Sequence, residues 1–220
     1  MLQQHDEDPN PDEDMTENRV GQAPRPLAKR WLWPKRLAAA FGVFVVLTGV
    51  AAGGWAIFIQ YTGNLHVVEP GRAYRSNTLG PAQLEQVMTD ENIRTIINLR
   101  GGSENDAWYA AERRAAAAHG VDFIDVTLSA DEIPSKALMM QLINALETAP
   151  RPLLIHCNRG ADRTSLAAAL YEYLVAGKSA SEASQQLSFY YGHFPWFPSR
   201  TGAMDAAFWE VVHENPRPPA

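Results

Sequence analysis

The chain has 220 residues, of which 46% are hydrophobic, 20% charged and 10% aromatic, and its formal net charge is −6. This composition is typical of a globular protein and excludes a wholly disordered or fibrous one. No long basic stripe occurs after Asn64, which argues against a nucleic-acid partner. The single cysteine, Cys157, excludes an internal disulfide, a redox centre of paired cysteines and a cysteine-rich zinc site.

The N-terminal segment, residues 1–36, is polar and divides by charge. All of its acidic residues precede Asn18, whereas all of its basic residues follow it. A segment with so little apolar surface cannot offset the entropy lost when its chain is ordered. We therefore predict a disordered tail that is acidic first and then basic.

Residues 37–59 read LAAAFGVFVVLTGVAAGGWAIFI and contain no charged side chain. At about 1.5 Å per residue they would form a helix about 34 Å long, enough to cross a hydrocarbon core of about 30 Å. A buried core helix would show a polar face, and a cleaved signal peptide would have a shorter apolar run. Small residues at Ala51–Gly54 keep cleavage open as an alternative, but the segment predicts a transmembrane helix.

Basic residues next to this segment predict its orientation. Lysines and arginines gather just before it, whereas only Arg72 and Arg75 follow it closely. Because cytoplasmic flanks carry the excess of these residues, we predict a single-pass protein with a cytoplasmic N-terminus. In a bacterium this orientation anchors the chain in the inner membrane and places the remaining residues in the periplasm.

Residues 64–215 have the size of one domain. Short apolar or alternating runs predict strands at Leu65–Val68, Thr95–Leu99, Phe123–Thr127 and Leu153–His156. Helices are predicted at Pro81–Asp90, Trp108–His119, Lys136–Glu147, Thr164–Ala176, Ala180–Tyr191 and Ala203–Glu214. The signals include a proline in the first turn of the first helix, a glycine that ends the alanine-rich second one and an apolar stripe along the third. Strands that alternate with helices indicate an α/β fold with a central, mostly parallel sheet flanked by helices.

The segment PLLIHCNRGADRTSLAAALYEYL, residues 152–174, carries the chemistry. An apolar run typical of a buried strand ends at His156, and a helix opens at Arg163. Between them, Cys157 stands at the end of the strand and faces a helix N-terminus across a short loop. Backbone N–H groups of such a loop and the positive end of the helix form an anion site and stabilise a thiolate. Together with the planar guanidinium of Arg163, they indicate phosphoryl transfer through a cysteinyl-phosphate.

The predicted phosphate-binding residues are Asn158, Arg159, Gly160, Ala161, Asp162 and Arg163. A lone cysteine after an apolar strand is usually an inert core residue, but Gly, Arg and Thr at these offsets favour a phosphate-binding loop. Asp162 would repel phosphate if its side chain pointed inward, so we expect that side chain to face outward.

HCNRGADRT fits the His-Cys-x5-Arg-Ser/Thr signature, and the chain from residue 64 to about 210 resembles the protein tyrosine phosphatase superfamily. It is most similar to the atypical dual-specificity branch, whose pieces YRS, INLR and YGH occur in the expected order. The resemblance implies Cys157 as nucleophile, Arg163 as phosphate clamp and Thr164 as a hydroxyl that helps the sulfur leave. His156 would orient the cysteine from behind. Ser165 stands where many members have glycine.

Two other classes share part of this signature. Arsenate reductases have Cys-x5-Arg but need further cysteines, which this chain lacks. Rhodanese-like phosphatases lack the Asp-Arg-Thr context that follows the loop here. No cluster of His, Asp or Glu accompanies His156, so we predict neither a metal nor a cofactor.

The general acid must protonate the leaving oxygen from a separate, mobile loop. VTLSADEIPSK, residues 126–136, lies between a predicted strand and the next helix. Asp131, at its centre, resembles the family's acid in order and approximate spacing. Glu132 is adjacent and could substitute, whereas Asp125 is expected within the strand. A helix-capping or solvated carboxylate is the alternative for Asp131.

Four further residues could line the pocket or have only structural or solvated roles: Arg100, Tyr109, Arg159 and Trp196. The sequence as a whole predicts a membrane-anchored, cysteine-dependent phosphatase of the tyrosine/dual-specificity type. Its substrate would be a phosphorylated protein or a small phosphomonoester.

Two other functions stay open. Arg159 adds charge to the loop, as in inositol-phosphate and phosphoinositide branches, and an anchor brings phospholipid head groups within reach. The same mechanism would then act on an inositol phosphate or a phospholipid. The second alternative is a pseudophosphatase that only binds phosphorylated partners, although the intact Cys157, Arg163 and Thr164 argue against it.

Overall fold

The computed structural model describes residues 32–196 and 199–216, so the predicted tail lies outside the described residues up to Trp31. Helix α1, Leu32–Tyr61, extends beyond the predicted span at both ends. Residues 32–36, which the sequence assigns to the tail, form its first turn, because Pro34 lies where a helix tolerates proline. Trp33–Tyr61 is long and apolar enough to cross a membrane, and its most apolar stretch of 18 residues has a mean hydropathy of 2.1.

The chain divides into two compact units after Gly49. The last turns of α1, from Val50 onward, belong to the same unit as the sheet. The strands of that sheet are β1 (His66–Glu69), β2 (Ala73–Ser76), β3 (Thr95–Asn98), β4 (Asp122–Asp125) and β5 (Leu153–His156). They lie in the order β1-β2-β5-β3-β4, and only the β1–β2 pair is antiparallel. The prediction of an α/β fold on a mostly parallel sheet is confirmed, with β5 at its centre.

The helices that flank the sheet are α2 (Pro81–Asp90), α3 (Ala107–Ala118), α4 (Lys136–Thr148), α5 (Asp162–Leu170), α6 (Ala180–Ala183) and α7 (Gly202–Glu214). Successive strand residues point to opposite faces. Leu153 and Ile155 therefore join an apolar cluster with α4, α5 and α7. Leu154 joins the cluster formed with α2 and α3 on the other face.

Strand β2 is absent from the sequence prediction. Its residue Arg75 interrupts the apolar pattern by which buried strands are recognised, yet this side chain is fully buried. The apolar pattern that would have predicted this strand is therefore interrupted by a charged residue that is buried in the fold.

Of the three helices predicted after Cys157, Ala203–Glu214 is confirmed as α7, whereas the other two are interrupted. Thr164–Ala176 is α5 followed by a π-helical turn at Tyr171–Val175. Ala180–Tyr191 is not one helix, because α6 is followed by separate 3-10 turns at Ser184–Gln186 and Phe189–Tyr191. The physical reason is that Gln186 turns inward and bonds to Arg75.

Candidate active site

Cys157 lies at the carboxyl end of the central strand. β5 is buried between two parallel neighbours, and Cys157 follows it directly with 2% of its surface exposed. Because α5 begins at Asp162, the loop between strand and helix comprises only Asn158–Ala161. The first backbone N–H groups of a helix have no partner within it, so the thiol stands a few residues from a group of unpaired donors.

Every backbone carbonyl from His156 to Gly160 accepts a hydrogen bond from outside the loop. The backbone N–H of Leu99 donates to His156 O at 2.8 Å, and Thr78 donates from Oγ1 to Cys157 O at 3.2 Å and from its backbone N–H to Asn158 O at 3.4 Å. Arg159 O accepts from Gln60 Nε2 at 3.0 Å and from Asn64 Nδ2 at 3.1 Å. Gly160 O accepts from Asn64 Nδ2 at 3.0 Å and from Arg75 Nη2 at 2.8 Å. No backbone N–H of Asn158–Ala161 has a hydrogen bond to another described residue. A loop whose carbonyls are held by the surrounding scaffold leaves its amides for an anion.

Gly160 allows the loop to approach β2 closely. Its φ of +65° lies in the left-handed region, and a Cβ built there would be 2.6 Å from the backbone of Ser76 and Asn77. Backbone atoms of a sheet cannot move aside as a flexible side chain can. Position 160 therefore requires glycine for both its conformation and its close approach.

The guanidinium of Arg163 is anchored through one nitrogen. Nη1 donates to the carbonyl oxygens of Leu99 at 3.2 Å, Arg100 at 3.4 Å and Leu128 at 3.1 Å. Nε is buried and has no partner among the described residues. Because the Nε–Nη2 edge of a guanidinium matches two phosphate oxygens, anchoring through Nη1 leaves that edge available to an anion.

Thr164 Oγ1 is a second buried atom without a partner in the described part of the chain. Buried polar groups are nearly always hydrogen-bonded, so each exception needs an explanation. Thr164 and Arg163 are adjacent, and both carry such an atom next to the loop that follows Cys157. Two neighbouring unsatisfied groups are consistent with a site that a ligand or reactant completes.

Asp131 lies on the loop that joins β4 to α4. Its side chain is exposed, and its backbone N–H donates to Ser129 Oγ at 3.3 Å. The loop is tied to the predicted phosphate clamp near its start, where Leu128 O accepts the hydrogen bond from Arg163. Glu132 is exposed as well, so the assignment of the acid to Asp131 stays a prediction.

Asp125 and Tyr109 have structural partners. Asp125 ends β4, as predicted, and its carboxylate accepts hydrogen bonds from Asn98 Nδ2 at 2.7 Å and from the Tyr109 hydroxyl at 2.6 Å. The hydrogen bond between the Tyr109 hydroxyl and the Asp125 carboxylate is the main cause of a raised pKa at Tyr109. Both side chains join β4 to its surroundings.

Arg100 is also partly engaged. Its Nη1 donates to Thr78 Oγ1 at 3.2 Å, and its guanidinium lies 3.8 Å from the ring centroid of Trp108. Arg159 and Trp196 are exposed. Among residues 32–196 and 199–216, no three His, Cys, Asp or Glu side chains are grouped closely enough to hold a metal ion.

The carboxylate of Asp162 is bound by His193. The ring atom Nδ1 lies 2.8 Å from Asp162 Oδ1, and Nε2 lies 2.8 Å from Asp205 Oδ2. Burial disfavours a charged ring, but the hydrogen bonds to the two carboxylates outweigh burial and raise the pKa of His193 to about 9. His193 is therefore a cation at neutral pH, and it balances the negative charge that Asp162 brings to the loop.

This ion cluster predicts a pH-dependent stability. The pKa of His193 is about 9 in the fold against an ordinary 6.5, so its contribution is fully present below pH 6.5 and is lost as the pH rises through 9. We expect the free energy of unfolding in urea to fall in this range for the parent, and to fall less for His193→Gln. His119→Gln, at an exposed histidine, is the control and should follow the parent. Equal pH slopes for the parent and His193→Gln would contradict the prediction.

Arg75 supports the loop, a role that the sequence reasoning did not find. Its Nη2 donates to Gly160 O and Ser165 Oγ, both at 2.8 Å, and its Nη1 donates to Gln186 Oε1 at 2.6 Å. Burial lowers the pKa of Arg75 to about 10, so it is still charged at neutral pH. Arg75 belongs to the YRS motif, residues 74–76. An arginine between strand-forming residues is the feature of the sequence that could have indicated its role.

Glu112 is a second residue that sequence reasoning missed. Its Oε1 lies 3.0 Å from His156 Nε2, and both side chains are almost completely buried. Glu112 comes from α3, an alanine-rich helix far from His156 in sequence, so no local pattern could indicate the pair. The two side chains are within ion-pair distance, so Glu112 packs against the imidazole that precedes Cys157 without the geometry of a hydrogen bond.

The family model for DSP-PTPase phosphatase fused to NAD+ kinase matches residues 82–196. The DUF442 protein of Shewanella putrefaciens CN-32 has a similar structure, with a TM-score of 0.52 and 18% identity over 68% of this chain and 89% of that one. Tk-PTP in its active form gives a TM-score of 0.50 and 16% identity over 69% and 97% of the two chains. TpbA of P. aeruginosa gives 0.49 and 21% over 68% and 85%. No curated protein matches the chain.

At these identities the structural likeness concerns the fold, whereas the family match is a match of sequence. It spans more than half of the chain and includes Asp131, Cys157 and Arg163. The chain is therefore a phosphatase of the atypical dual-specificity branch of the protein tyrosine phosphatase superfamily, and it belongs to the family of DSP-PTPase phosphatases fused to NAD+ kinase.

Proposed function

We propose that the chain is a membrane-anchored phosphatase that hydrolyses phosphate monoesters through a cysteinyl-phosphate. The loop Cys157–Arg163 is the observation that carries the proposal. Its carbonyls are held from outside, its amides have no described partner, and the Nε of Arg163 is buried without one. This set of donors next to a thiol fits the equatorial oxygens of a phosphoryl group during transfer.

The proposed reaction has two steps. In the first, the Cys157 thiolate attacks phosphorus, an S–P bond forms, and the P–O bond to the leaving group breaks while Asp131 supplies its proton. In the second, Asp131 accepts a proton from water, whose oxygen attacks phosphorus and displaces the sulfur. Arg163 and the loop amides stabilise the charge on the equatorial oxygens, and the Thr164 hydroxyl stabilises the departing thiolate.

Turnover of p-nitrophenyl phosphate by the purified full chain tests the proposal. We expect hydrolysis in the presence of a chelator, together with a phosphorylated protein that is trapped by acid quench. Phosphate binding without turnover would instead favour the pseudophosphatase.

Asp131→Asn is expected to lower kcat by roughly 10²–10⁴-fold, the usual contribution of a general acid. The loss should be smaller for substrates with good leaving groups, because these need less protonation. The pH dependence of kcat should change with it. Glu132→Gln is the matched control, since both carboxylates are exposed on the same loop. If only Glu132→Gln shows this pattern, the acid is Glu132.

The domain arrangement forms part of the proposal: a tail over 1–36, a span over 37–59 and a phosphatase domain over 64–215. The apolar length of α1 supports a single span, and the basic residues before it support a cytoplasmic N-terminus. We expect alkaline phosphatase fused after Ala220 to be active and green fluorescent protein at the same place to be dark. The opposite pair of results would place the catalytic domain in the cytoplasm.

The range of possible substrate classes can be narrowed by comparing their rates of hydrolysis. Arg159 is exposed on the loop, which favours substrates with charge beyond the reacting phosphate. A panel of phosphotyrosine and phosphoserine peptides, inositol phosphates and phospholipids would rank the classes. Arg159→Ala should lower kcat/KM most for the polyanionic members, and an equal effect on all members would remove this preference.

A further inference from the structure

The C-terminal end of α1 is closed by a turn that ends at Asn64. The Asn64 backbone N–H donates to Ile59 O at 2.6 Å, and Gly63 and Asn64 have φ values of +83° and +46°. Glycine and asparagine are the residues that most readily adopt this left-handed conformation, which commonly ends helices. The turn therefore places the Asn64 side chain at a fixed point beside the end of α1.

The side chain of Asn64 is fully buried and binds the phosphate loop. Its Nδ2 lies 3.1 Å from Arg159 O, 3.0 Å from Gly160 O and 2.9 Å from Tyr191 O. All three partners are carbonyl oxygens, which can only accept, so the amide nitrogen must face them. Oδ1 then accepts a hydrogen bond from His66 Nε2, which lies 3.1 Å away. The orientation of this amide is thus determined on both sides.

Gln60 and Asn77 strengthen the same connection. Gln60, on the last turn of α1, donates from Nε2 to Arg159 O at 3.0 Å. Asn77 donates from Nδ2 to Gln60 O at 3.2 Å and from its backbone N–H to Gly63 O at 2.7 Å. Arg159 O therefore receives both of its described hydrogen bonds from residues at the end of α1.

We propose that Asn64 is a positioning residue for the phosphate loop, so that the end of α1 is a working part of the catalytic site. By holding the carbonyls of Arg159 and Gly160, Asn64 keeps the two peptide groups turned so that their amides stay available to the anion. The inference rests on the proposed function for its effect on catalysis, whereas its effect on phosphate binding is independent of turnover.

Asn64→Gly in the full-length protein in detergent micelles tests this role. Glycine accepts the positive φ and retains the backbone cap on α1, so only the side-chain hydrogen bonds are removed. Inorganic phosphate is the probe, and its binding is measured by protection of Cys157 from iodoacetamide. We expect phosphate affinity and kcat/KM each to fall about tenfold, as loss of loop-orienting hydrogen bonds predicts. The rate of Cys157 alkylation at about pH 6 should also fall, because misaligned amides stabilise the thiolate less.

Gln83→Ala is the matched control. Its Nε2 donates to Thr62 O at 3.2 Å, so it contacts the same turn without touching the loop. Gln60→Ala removes one exposed side chain and should weaken phosphate binding in the same direction by a smaller factor. This variant decides the matter if Asn64→Gly fails to fold.

Unchanged phosphate affinity in Gln60→Ala and in folded Asn64→Gly would overturn the proposal. An equal loss in Gln83→Ala would also overturn it, because the effect would then belong to the turn in general. A parent that binds phosphate but turns over no substrate would remove the proposed activity and leave this comparison intact.

Discussion

Replacing Cys157 with serine is expected to abolish turnover of p-nitrophenyl phosphate while phosphate analogues still bind. Serine has nearly the same shape, so the amides of the loop and the Arg163 guanidinium stay where they are. Its hydroxyl has no accessible anionic form near neutral pH and is a much weaker nucleophile without a nearby base. The cradle is thus retained while the step that forms the S–P bond is lost.

Tungstate competition and steady-state turnover together measure the two halves of this expectation. Because Cys157 is the only cysteine of the chain, loss of iodoacetamide labelling verifies the substitution directly. Turnover by the serine variant above a few per cent of the parent would reject Cys157 as the nucleophile. Loss of tungstate binding along with turnover would show that the exchange had damaged the loop itself.

Arg75→Met is expected to have the largest effect on stability. Methionine fills much of the volume of the arginine side chain, but it leaves Ser165 Oγ and Gln186 Oε1 without the arginine donor and removes one of the two donors of Gly160 O. Leaving a buried acceptor without its hydrogen bond typically costs about 1–3 kcal/mol, and more than one acceptor is affected here. Because Gly160 O is one of the three acceptors, phosphate binding should weaken as well.

Urea unfolding gives this cost, and Arg72→Met is its matched control. Arg72 immediately precedes β2 and has half of its side chain exposed in a salt bridge with Glu69 at 3.3 Å. Exposed pairs of this kind contribute at most about 1 kcal/mol. Equal losses in the two variants would show that the buried network of Arg75 contributes no more to stability than an exposed pair does.

The strand, loop and helix around Cys157 could be predicted because their signals are local. An apolar run, a glycine and an arginine at fixed offsets all lie within residues 152–174, where sequence neighbours are also neighbours in space. The parallel sheet follows from the alternation of strands and helices for a similar reason. Asp131 could be named only through the order of loops, and its part in the reaction stays a prediction.

The support of the loop could not be predicted, since its parts come from distant segments. Asn64 reaches the residues around Cys157 from the turn after α1, Arg75 from β2 and Glu112 from α3. Each is a polar residue that the fold buries, so it contradicts the rule by which core positions are recognised. The motifs YRS and YGH, which the chain shares with the family it resembles, contain Arg75 and His193. A short motif does not show which distant group the side chain of such a residue contacts.

The hydrogen bond from Gln60 to Arg159 O limits how far the phosphate loop can move from the end of α1. An enzyme on a long flexible tether sweeps a volume whose radius grows with the square root of tether length. Here the last turn of α1 is bonded directly to the loop that would hold the phosphate. No flexible linker of this kind therefore separates the end of α1 from the loop. If α1 is the proposed membrane anchor, a substrate would have to bring its phosphate to the end of that helix, because the loop is bonded to it.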